Sequence, residues 1–111
     1  LLAEMSSQGT LAQGEYTQKT VQMAWENKDF VIGFIATRQL IDEPCFINFT
    51  PGVQLAKATD LLGQQYNTPA NVIGKQKSDI IIVGRGICAA QDPIVEAKKY
   101  RSASWSSYLH R

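Results

Sequence analysis

The most constraining feature of this sequence is an apolar run that ends in a Gly-Arg-Gly turn. Residues 80–83 are three isoleucines and a valine, all β-branched and uninterrupted by a polar residue. Such a run is typical of a parallel strand covered on both faces, because every side chain then needs burial. Gly84 ends the run, and Arg85 and Gly86 follow it. We therefore predict a buried parallel strand with a binding edge at its carboxyl end.

The Gly84-Arg85-Gly86 turn has the chemistry of a phosphate site. Glycine lets backbone N–H groups approach an anion with no Cβ in the way. The Arg85 guanidinium adds a permanent charge and a forked set of donors that suits phosphate oxygens. Taken alone, however, an arginine in this position is equally consistent with a surface salt bridge.

The composition is that of an ordinary globular chain. Its 111 residues fall within the range of one domain, 44% of them are hydrophobic, and the formal net charge is +1. A charge this close to zero argues against a general nucleic-acid or membrane surface. No apolar run could span a bilayer, and no signal peptide is visible. The sequence opens on Leu1 without an initiator Met, so we expect a fragment of something longer.

The cysteines and the histidine offer little chemistry. Cys45 and Cys88 show no short-range pairing pattern, which favours a reduced, cytoplasmic setting over a disulfide framework. His110 is the only histidine and lies near the end of the chain. We therefore expect neither a metal site nor a catalytic triad.

Strand-like and helix-like patterns alternate along the chain. The predicted strands are residues 1–5, 30–36, 46–49 and 79–83. The predicted helices are residues 14–27, 68–75 and a last one from residue 92 onward. Thr68-Pro69 and Asp92-Pro93 each read as an N-cap followed by proline in the first helical position. The last helix has a stripe that we expect to cover a sheet, formed by Ile94, Ala97, Arg101, Trp105 and Tyr108.

This alternation predicts a parallel α/β architecture. Four strands suit either a small doubly wound sheet or half of a (β/α)₈ barrel, which when complete needs about 250 residues. Both folds place ligands at the carboxyl ends of their strands. The segments at Ser6, Pro51 and Gly84 lie at such ends.

Five motifs, in order along nearly the whole chain, resemble the orotidine 5'-phosphate decarboxylase family, in the form found in eukaryotic uridine monophosphate synthase. They are LAEMSS (residues 2–7), FVIGFI (30–35), TPGV (50–53), LGQQYN (62–67) and SDIIIVGRG (78–86). The resemblance implies a (β/α)₈ TIM barrel of which residues 1–111 are the carboxyl-terminal half, strands five to eight. It also implies a homodimeric lyase that converts orotidine 5'-monophosphate to uridine 5'-monophosphate in pyrimidine biosynthesis, with no cofactor or metal.

The resemblance also implies roles for six residues. Ser6 would hydrogen-bond the edge of the pyrimidine, and Pro51 would line the base pocket. Gln64 would reach between base and phosphate from a closing loop, while the Tyr66 hydroxyl donates to the phosphate. The same phosphate would be held by two further residues, Gly84 and Arg85.

The sequence also departs from the family pattern. The family's charged array, Asp-x-Lys-x-x-Asp with a further upstream lysine, is absent, and the nearest lysine-acid neighbours are Lys28-Asp29. We therefore expect no catalytic residue in this segment and no activity without the amino-terminal half of the barrel. Residues 57–61 replace a glycine-richer stretch, and Gln76-Lys77 replaces an Arg-Gly pair. Glu4 is interpreted as a buried, paired acid, and no catalytic role is assigned to it.

Two other interpretations stay open. The chain could be a non-catalytic nucleotide-binding half-barrel that grips phosphate without reacting. It could also be a structural fragment with no retained binding, since a half-barrel exposes unpaired strand edges. Whether a phosphoribosyltransferase domain lies upstream is open as well.

Overall fold

The computed structural model describes residues 1–55 and 67–111 of the chain. Its strands are β1 (Gly33–Ile35), β2 (Ile47–Thr50) and β3 (Ile80–Ile81). Its helices are α1 (Glu15–Glu26), α2 (Arg85–Cys88) and α3 (Pro93–Leu109), with a wide π-helical turn at Ala70–Lys75 that we call the π turn. The strands form one parallel sheet in the order β1-β2-β3. The parallel α/β architecture is therefore confirmed.

The first residues of the chain extend this sheet beyond β1. Leu2 forms a parallel bridge with Ile35. The Ala3 N–H donates to the Ile35 carbonyl at 2.9 Å, and the Ile35 N–H donates to the Leu1 carbonyl at 2.8 Å. The sheet thus has four parallel segments in chain order, although the first pairing is shorter than the strand predicted over residues 1–5.

The second strand is also shorter than its apolar run predicts. We expected residues 30–36 to form the strand, but the strand is Gly33–Ile35, with one further hydrogen bond to β2 at each of Ile32 and Ala36. Phe30 is 87% exposed. The N–H groups of Phe30 and Val31 both donate to the Asn27 carbonyl. Because these hydrogen bonds hold the backbone against the end of α1, residues 30 and 31 cannot join the sheet.

The two faces of the sheet differ in burial. Pairing register and strand alternation place Leu2, Ile35, Phe49 and Ile80 on one face, which we call the open face. Ile80 is 42% exposed, and Ile82, two residues further on, is 38% exposed. The expectation that residues 80–83 are covered on both faces is therefore wrong for this chain, because Ile81 and Val83 pack against the core while Ile80 and Ile82 stay exposed.

The opposite face is covered, and it carries the hydrophobic core. One cluster lies around α1 and consists of Ala3, Ala24, Phe34, Ala36 and Phe46. A second cluster lies under the π turn and α3 and consists of Val53, Val72, Ile73 and Tyr100. The sheet is thus a single layer backed by helices on one side.

The last helix begins where the sequence predicts. The Asp92 carboxylate accepts hydrogen bonds from the N–H groups of Ile94 and Val95, both at 3.1 Å, and Pro93 occupies the first helical position. The Thr68 hydroxyl accepts from the Asn71 N–H at 3.3 Å and so marks the start of the π turn in the same way. The cap-and-proline prediction at Asp92-Pro93 is confirmed. At Thr68-Pro69 the side-chain hydrogen bond forms, but Pro69 itself occupies the cap position, so the turn begins one residue later than predicted.

The buried stripe of α3 is a different one from the stripe predicted. Tyr100 is its buried residue, whereas Ile94 and Trp105 are 70% and 60% exposed. The helix packs against the π turn and α2 rather than across the sheet. The predicted stripe is therefore wrong, because the residue that α3 buries, Tyr100, lies outside it.

Candidate ligand site at the carboxyl edge of the sheet

The structure brings four of the six predicted site residues to one edge of the sheet. Ser6 follows the first segment, Pro51 follows β2, and Gly84 and Arg85 follow β3. These strands are parallel, so their carboxyl ends share one edge. Gln64 and Tyr66 lie outside the described residues.

A polar pocket of about 550 Å³ opens beside Ser6. Its lining residues are Glu4, Met5, Ser6, Gln13, Thr37, Arg38, Asn67 and Gln76. Among the predicted site residues that the structure describes, Ser6 lines it, while Pro51, Gly84 and Arg85 lie outside its wall. Sequence reasoning gave no role to Thr37 or Arg38, which have no motif signal because they follow a strand in an irregular connector.

Glu4 is the best-connected charged residue in this pocket. Thr37 Oγ1 donates to Glu4 Oε1, and Arg38 Nη2 donates to Glu4 Oε2 at 3.2 Å. The Glu4 side chain is 17% exposed, and that of Arg38 is 54% exposed. The interpretation of Glu4 as a paired acid is confirmed, although its side chain is only partly buried. We call this group of Glu4, Thr37 and Arg38 the Glu4 clamp.

Ser6 lies in a loop that is fastened at its base. The Met5 N–H donates to the Ala12 carbonyl at 3.1 Å, which closes residues 6–11 into a loop. Within the loop, the Thr10 N–H donates to the Ser7 carbonyl at 3.1 Å. The Ser6 side chain itself is exposed, so it is free to contact a ligand in the pocket.

The Gly-Arg-Gly turn is partly helical. Gly84 precedes α2, and Arg85 is its first residue and is exposed. Within the described ranges, no carboxylate lies at ion-pair distance from Arg85. A Cβ at Gly84 would meet nothing within 4 Å. The space beside Gly84 and the exposed guanidinium are compatible with an anion, whereas a surface salt bridge is not seen for Arg85 in the described part.

Gly86 differs from Gly84, because its lack of a side chain serves packing. A Cβ at Gly86 would collide with the hydroxyl of Tyr100, which is buried. The sequence interpretation treated both glycines as parts of a phosphate turn. For Gly86, the structure shows instead a close contact between α2 and α3.

A second groove, of about 610 Å³, lies between β3 and α3 on the far side of that contact. Its walls are mostly apolar and include Ile80, Ile81, Val83, Trp105 and Tyr108. The rings of Trp105 and Tyr108 stack with their centroids 5.5 Å apart. Asp79, Arg101 and Ser104 also line the groove, but none of the described predicted site residues does, so we do not assign it to substrate.

Residues 1–100 match the orotidine 5'-phosphate decarboxylase / HUMPS family. The chain belongs to this family. It is 57% identical to a uridine 5'-monophosphate synthase from Bos taurus over 111 residues, which are all of this chain and 23% of that protein. Two orotidine 5'-phosphate decarboxylases, from Aureobasidium pullulans and Rhizopus oryzae, are each 53% identical to it. The matches cover 97% and 100% of this chain and 41% and 43% of those proteins, respectively.

Family membership confirms the resemblance that the five sequence motifs carry. The chain spans about a quarter to two fifths of the length of these relatives. No group of three or more metal-ligating side chains occurs within the described ranges. In the same part of the chain, no helix is long and apolar enough to cross a membrane.

Proposed function

We propose that this chain is the carboxyl-terminal half of an orotidine 5'-phosphate decarboxylase barrel, strands five to eight. In this role it supplies pyrimidine and phosphate contacts for the conversion of orotidine 5'-monophosphate to uridine 5'-monophosphate in pyrimidine biosynthesis. Family membership supports the reaction. The open face of the sheet supports the half-barrel, because an uncovered apolar sheet face needs a partner layer.

The order of the strands favours a barrel over a doubly wound sheet. A doubly wound sheet reverses its strand order at a switch point, and the ligand binds there. Here the first segment, β1, β2 and β3 follow one another in chain order with no reversal. Sequential parallel strands with helices on one side are the arrangement of a barrel wall.

An amino-terminal half would complete the wall at two edges. The outer edge of the first segment and the outer edge of β3 both carry backbone groups without a strand partner among the described residues. In the groove between β3 and α3, Trp105 and Tyr108 are exposed as well. We therefore propose that the amino-terminal half covers the open face and both edges and brings the Asp-x-Lys-x-x-Asp array.

The ligand roles are those that the family resemblance implies, and the shared edge supports them. Ser6 and Pro51 contact the pyrimidine, and Gly84 and Arg85 hold the phosphate. Gln64 and Tyr66, which lie outside the described residues, reach the same ligand from the closing loop that the resemblance implies. All the described members end up on the carboxyl edge of one sheet, which is what a single bound nucleotide requires.

The division of labour is physically reasonable. Loss of carbon dioxide leaves a carbanion on the pyrimidine, and its high barrier has to be lowered by interactions that strengthen in the transition state. Binding energy from a remote phosphate can drive loop closure around the reacting ring. The residues of this chain thus bind and orient the substrate, while the proton donor comes from the other half.

Assembly and compartment complete the proposal. We propose a homodimer of complete barrels, as the family resemblance implies. Cys45 and Cys88 are both free and exposed, which suits a reducing cytoplasm. No nucleic-acid or membrane partner is proposed for a chain with a net charge of +1.

The decisive experiment compares this chain alone with the complete protein, meaning this segment joined to its amino-terminal half. Orotidine 5'-monophosphate is supplied to each, and the release of carbon dioxide is followed. We expect turnover from the complete protein and none from the 111-residue chain. A folded complete protein that binds uridine 5'-monophosphate without turnover would favour the non-catalytic half-barrel instead, and loss of both would leave only the structural fragment.

A further inference from the structure

We infer that Glu4 is a positioning residue, and that the Glu4 clamp fixes the turn that presents Ser6 to the pyrimidine. This rests on the proposed function, because the role of Ser6 belongs to it. Glu4 itself need not touch the substrate. Its carboxylate acts through the backbone that leads to Ser6.

The clamp lies at the mouth of the proposed barrel. Leu2 pairs with Ile35 on the open face, and Glu4 and Thr37 each follow by two residues. Strand alternation therefore places Glu4 and Thr37 on the same face, one step closer to the carboxyl edge. Their hydrogen bond joins the exit of the first segment to the exit of β1, where a ligand of the sheet would lie.

The carboxylate is held at both of its oxygens. Thr37 binds one oxygen and Arg38 the other, and both donors come from the segment after β1. Two donors from adjacent residues fix the rotation of the carboxylate as well as its place. A carboxylate that is partly removed from water is costly to leave without a donor, so the two hydrogen bonds favour the clamp in the folded state.

The backbone transmits this order to Ser6 over two residues. The Glu4 N–H donates to the Ile35 carbonyl at 3.3 Å, and the Met5 N–H donates to the Ala12 carbonyl at 3.1 Å. The Ser6 side chain makes no hydrogen bond to any described residue, so its position depends on the backbone that carries it. Ser6, Glu4 and Arg38 line one pocket, which puts the clamp within a few residues of the ligand contact.

A double-mutant cycle in the complete protein tests this coupling. Glu4→Ala and Ser6→Ala are made singly and together, and kcat/KM is measured for orotidine 5'-monophosphate. Misplacing a contact by about 1 Å can cost a hundredfold, so we expect each single change to lower kcat/KM by at least about tenfold. We expect the double variant to be no slower than the slower single variant. Losses that multiply, or a Ser6→Ala variant with unchanged kcat/KM, would overturn the inference.

Two further variants separate positioning from general damage. Glu4→Gln keeps an acceptor for Thr37 and removes the charge that faces Arg38, so we expect an intermediate kcat/KM. Glu96→Ala breaks a similarly exposed ion pair with Lys99 on α3, away from the pocket. We expect Glu96→Ala to leave kcat/KM unchanged, and a loss equal to that of Glu4→Ala would contradict a specific role for Glu4.

Amide hydrogen exchange gives a readout that does not depend on the reaction. We expect the amides of residues 5–12 to exchange at least about tenfold faster in Glu4→Ala than in the parent, with no change in Glu96→Ala. Equal exchange in Glu4→Ala and the parent would overturn the clamp even if the enzyme is active. A parent protein without decarboxylation would instead refute the proposed function, and exchange would still decide whether Glu4 orders the turn.

Discussion

Gly86 and Tyr100 fit together so closely that the tyrosine hydroxyl occupies the space a side chain at residue 86 would need. Tyr100 is buried at the centre of the second hydrophobic cluster, so it has little room to retreat. The contact fixes α2 against α3, and α2 begins at Arg85. The position of Arg85, the proposed phosphate contact, is therefore fixed by the packing of α2 against α3.

This contact predicts a specific loss of stability. We expect Gly86→Ala to lower the free energy of unfolding by about 1–3 kcal/mol, because the added methyl group overpacks a filled site. Urea denaturation of the complete protein measures the change. Gly84→Ala is the matched control, since the same methyl group there meets open space, and we expect a change below about 1 kcal/mol.

Removing the obstructing atom offers a second check of the same contact. The nearest atom to the added methyl group is the Tyr100 hydroxyl oxygen, so Tyr100→Phe makes room for it. We expect Gly86→Ala to cost less in the Tyr100→Phe background than in the parent. An equal cost in both backgrounds would show that the hydroxyl is not the obstacle.

The proposed phosphate contact of Arg85 predicts that removing its side chain weakens nucleotide binding. Hydrogen bonds to charged groups contribute about 1.5–3 kcal/mol, so we expect Arg85→Ala to weaken uridine 5'-monophosphate binding by roughly ten- to a hundredfold. Titration calorimetry on the complete protein measures the dissociation constant. Lys98→Ala removes the same charge from an exposed site on α3 and serves as the control. Equal dissociation constants for Arg85→Ala and Lys98→Ala would remove Arg85 from the site.

The backbone conformation at Lys77 predicts that a substitution there raises the free energy of unfolding. Lys77 is the only described non-glycine residue with a positive φ, at 57°, and it stands where the family resemblance expects glycine. A left-handed backbone costs an ordinary residue about 1–2 kcal/mol. Glycine avoids this cost, but it loses more conformational freedom on folding, so only part of the cost is recovered. We expect Lys77→Gly to raise the unfolding free energy by about 0.5–1 kcal/mol. Lys75→Gly, inside the π turn, is the control and is expected to lower it.

The N-cap at Asp92 predicts that removing its side chain lowers the free energy of unfolding. Its carboxylate serves two N–H groups at the start of α3, and loss of such a cap costs about 1 kcal/mol. We expect Asp92→Ala to lower the unfolding free energy by that amount, measured by thermal denaturation of the complete protein. Gln91→Ala, one residue earlier and also exposed, makes none of these bonds, and an equal loss there would show that the cap is not the cause.

Local signals in the sequence predicted the parts of the fold that local physics controls. Asp92-Pro93 starts α3 because a side-chain oxygen and a fixed φ act within one turn of backbone. Thr68 binds the Asn71 N–H in a similar way, although the π turn begins one residue later than predicted. The parallel sheet was predictable for a related reason, since strand and helix patterns alternate. Its strand order was not predicted by these patterns, which left a doubly wound sheet and a half-barrel both open. The motifs around Ser6 and Gly84 also reached one edge of the sheet, as parallel strands require.

What the sequence missed depends on contacts between distant residues. The burial of Tyr100 and the close approach of Gly86 are visible only once α2 and α3 are packed together. The sequence places Phe30 in a strand, whereas in the structure its N–H donates to the Asn27 carbonyl at the end of α1. The Glu4 clamp was half visible, because a strand acid suggested a partner but nothing in the pattern pointed to Thr37 or Arg38.

The open face also has a consequence for biosynthesis. Leucine, isoleucine and phenylalanine presented to water attract chaperones and other unfolded chains until something apolar settles on them. Translation runs from the amino terminus, so a preceding barrel half would already have emerged from the ribosome when Ile80 is made. The open face of the newly synthesised sheet would then be exposed only until the two halves pack together. Expressed by itself, the same polypeptide is expected to collect in inclusion bodies.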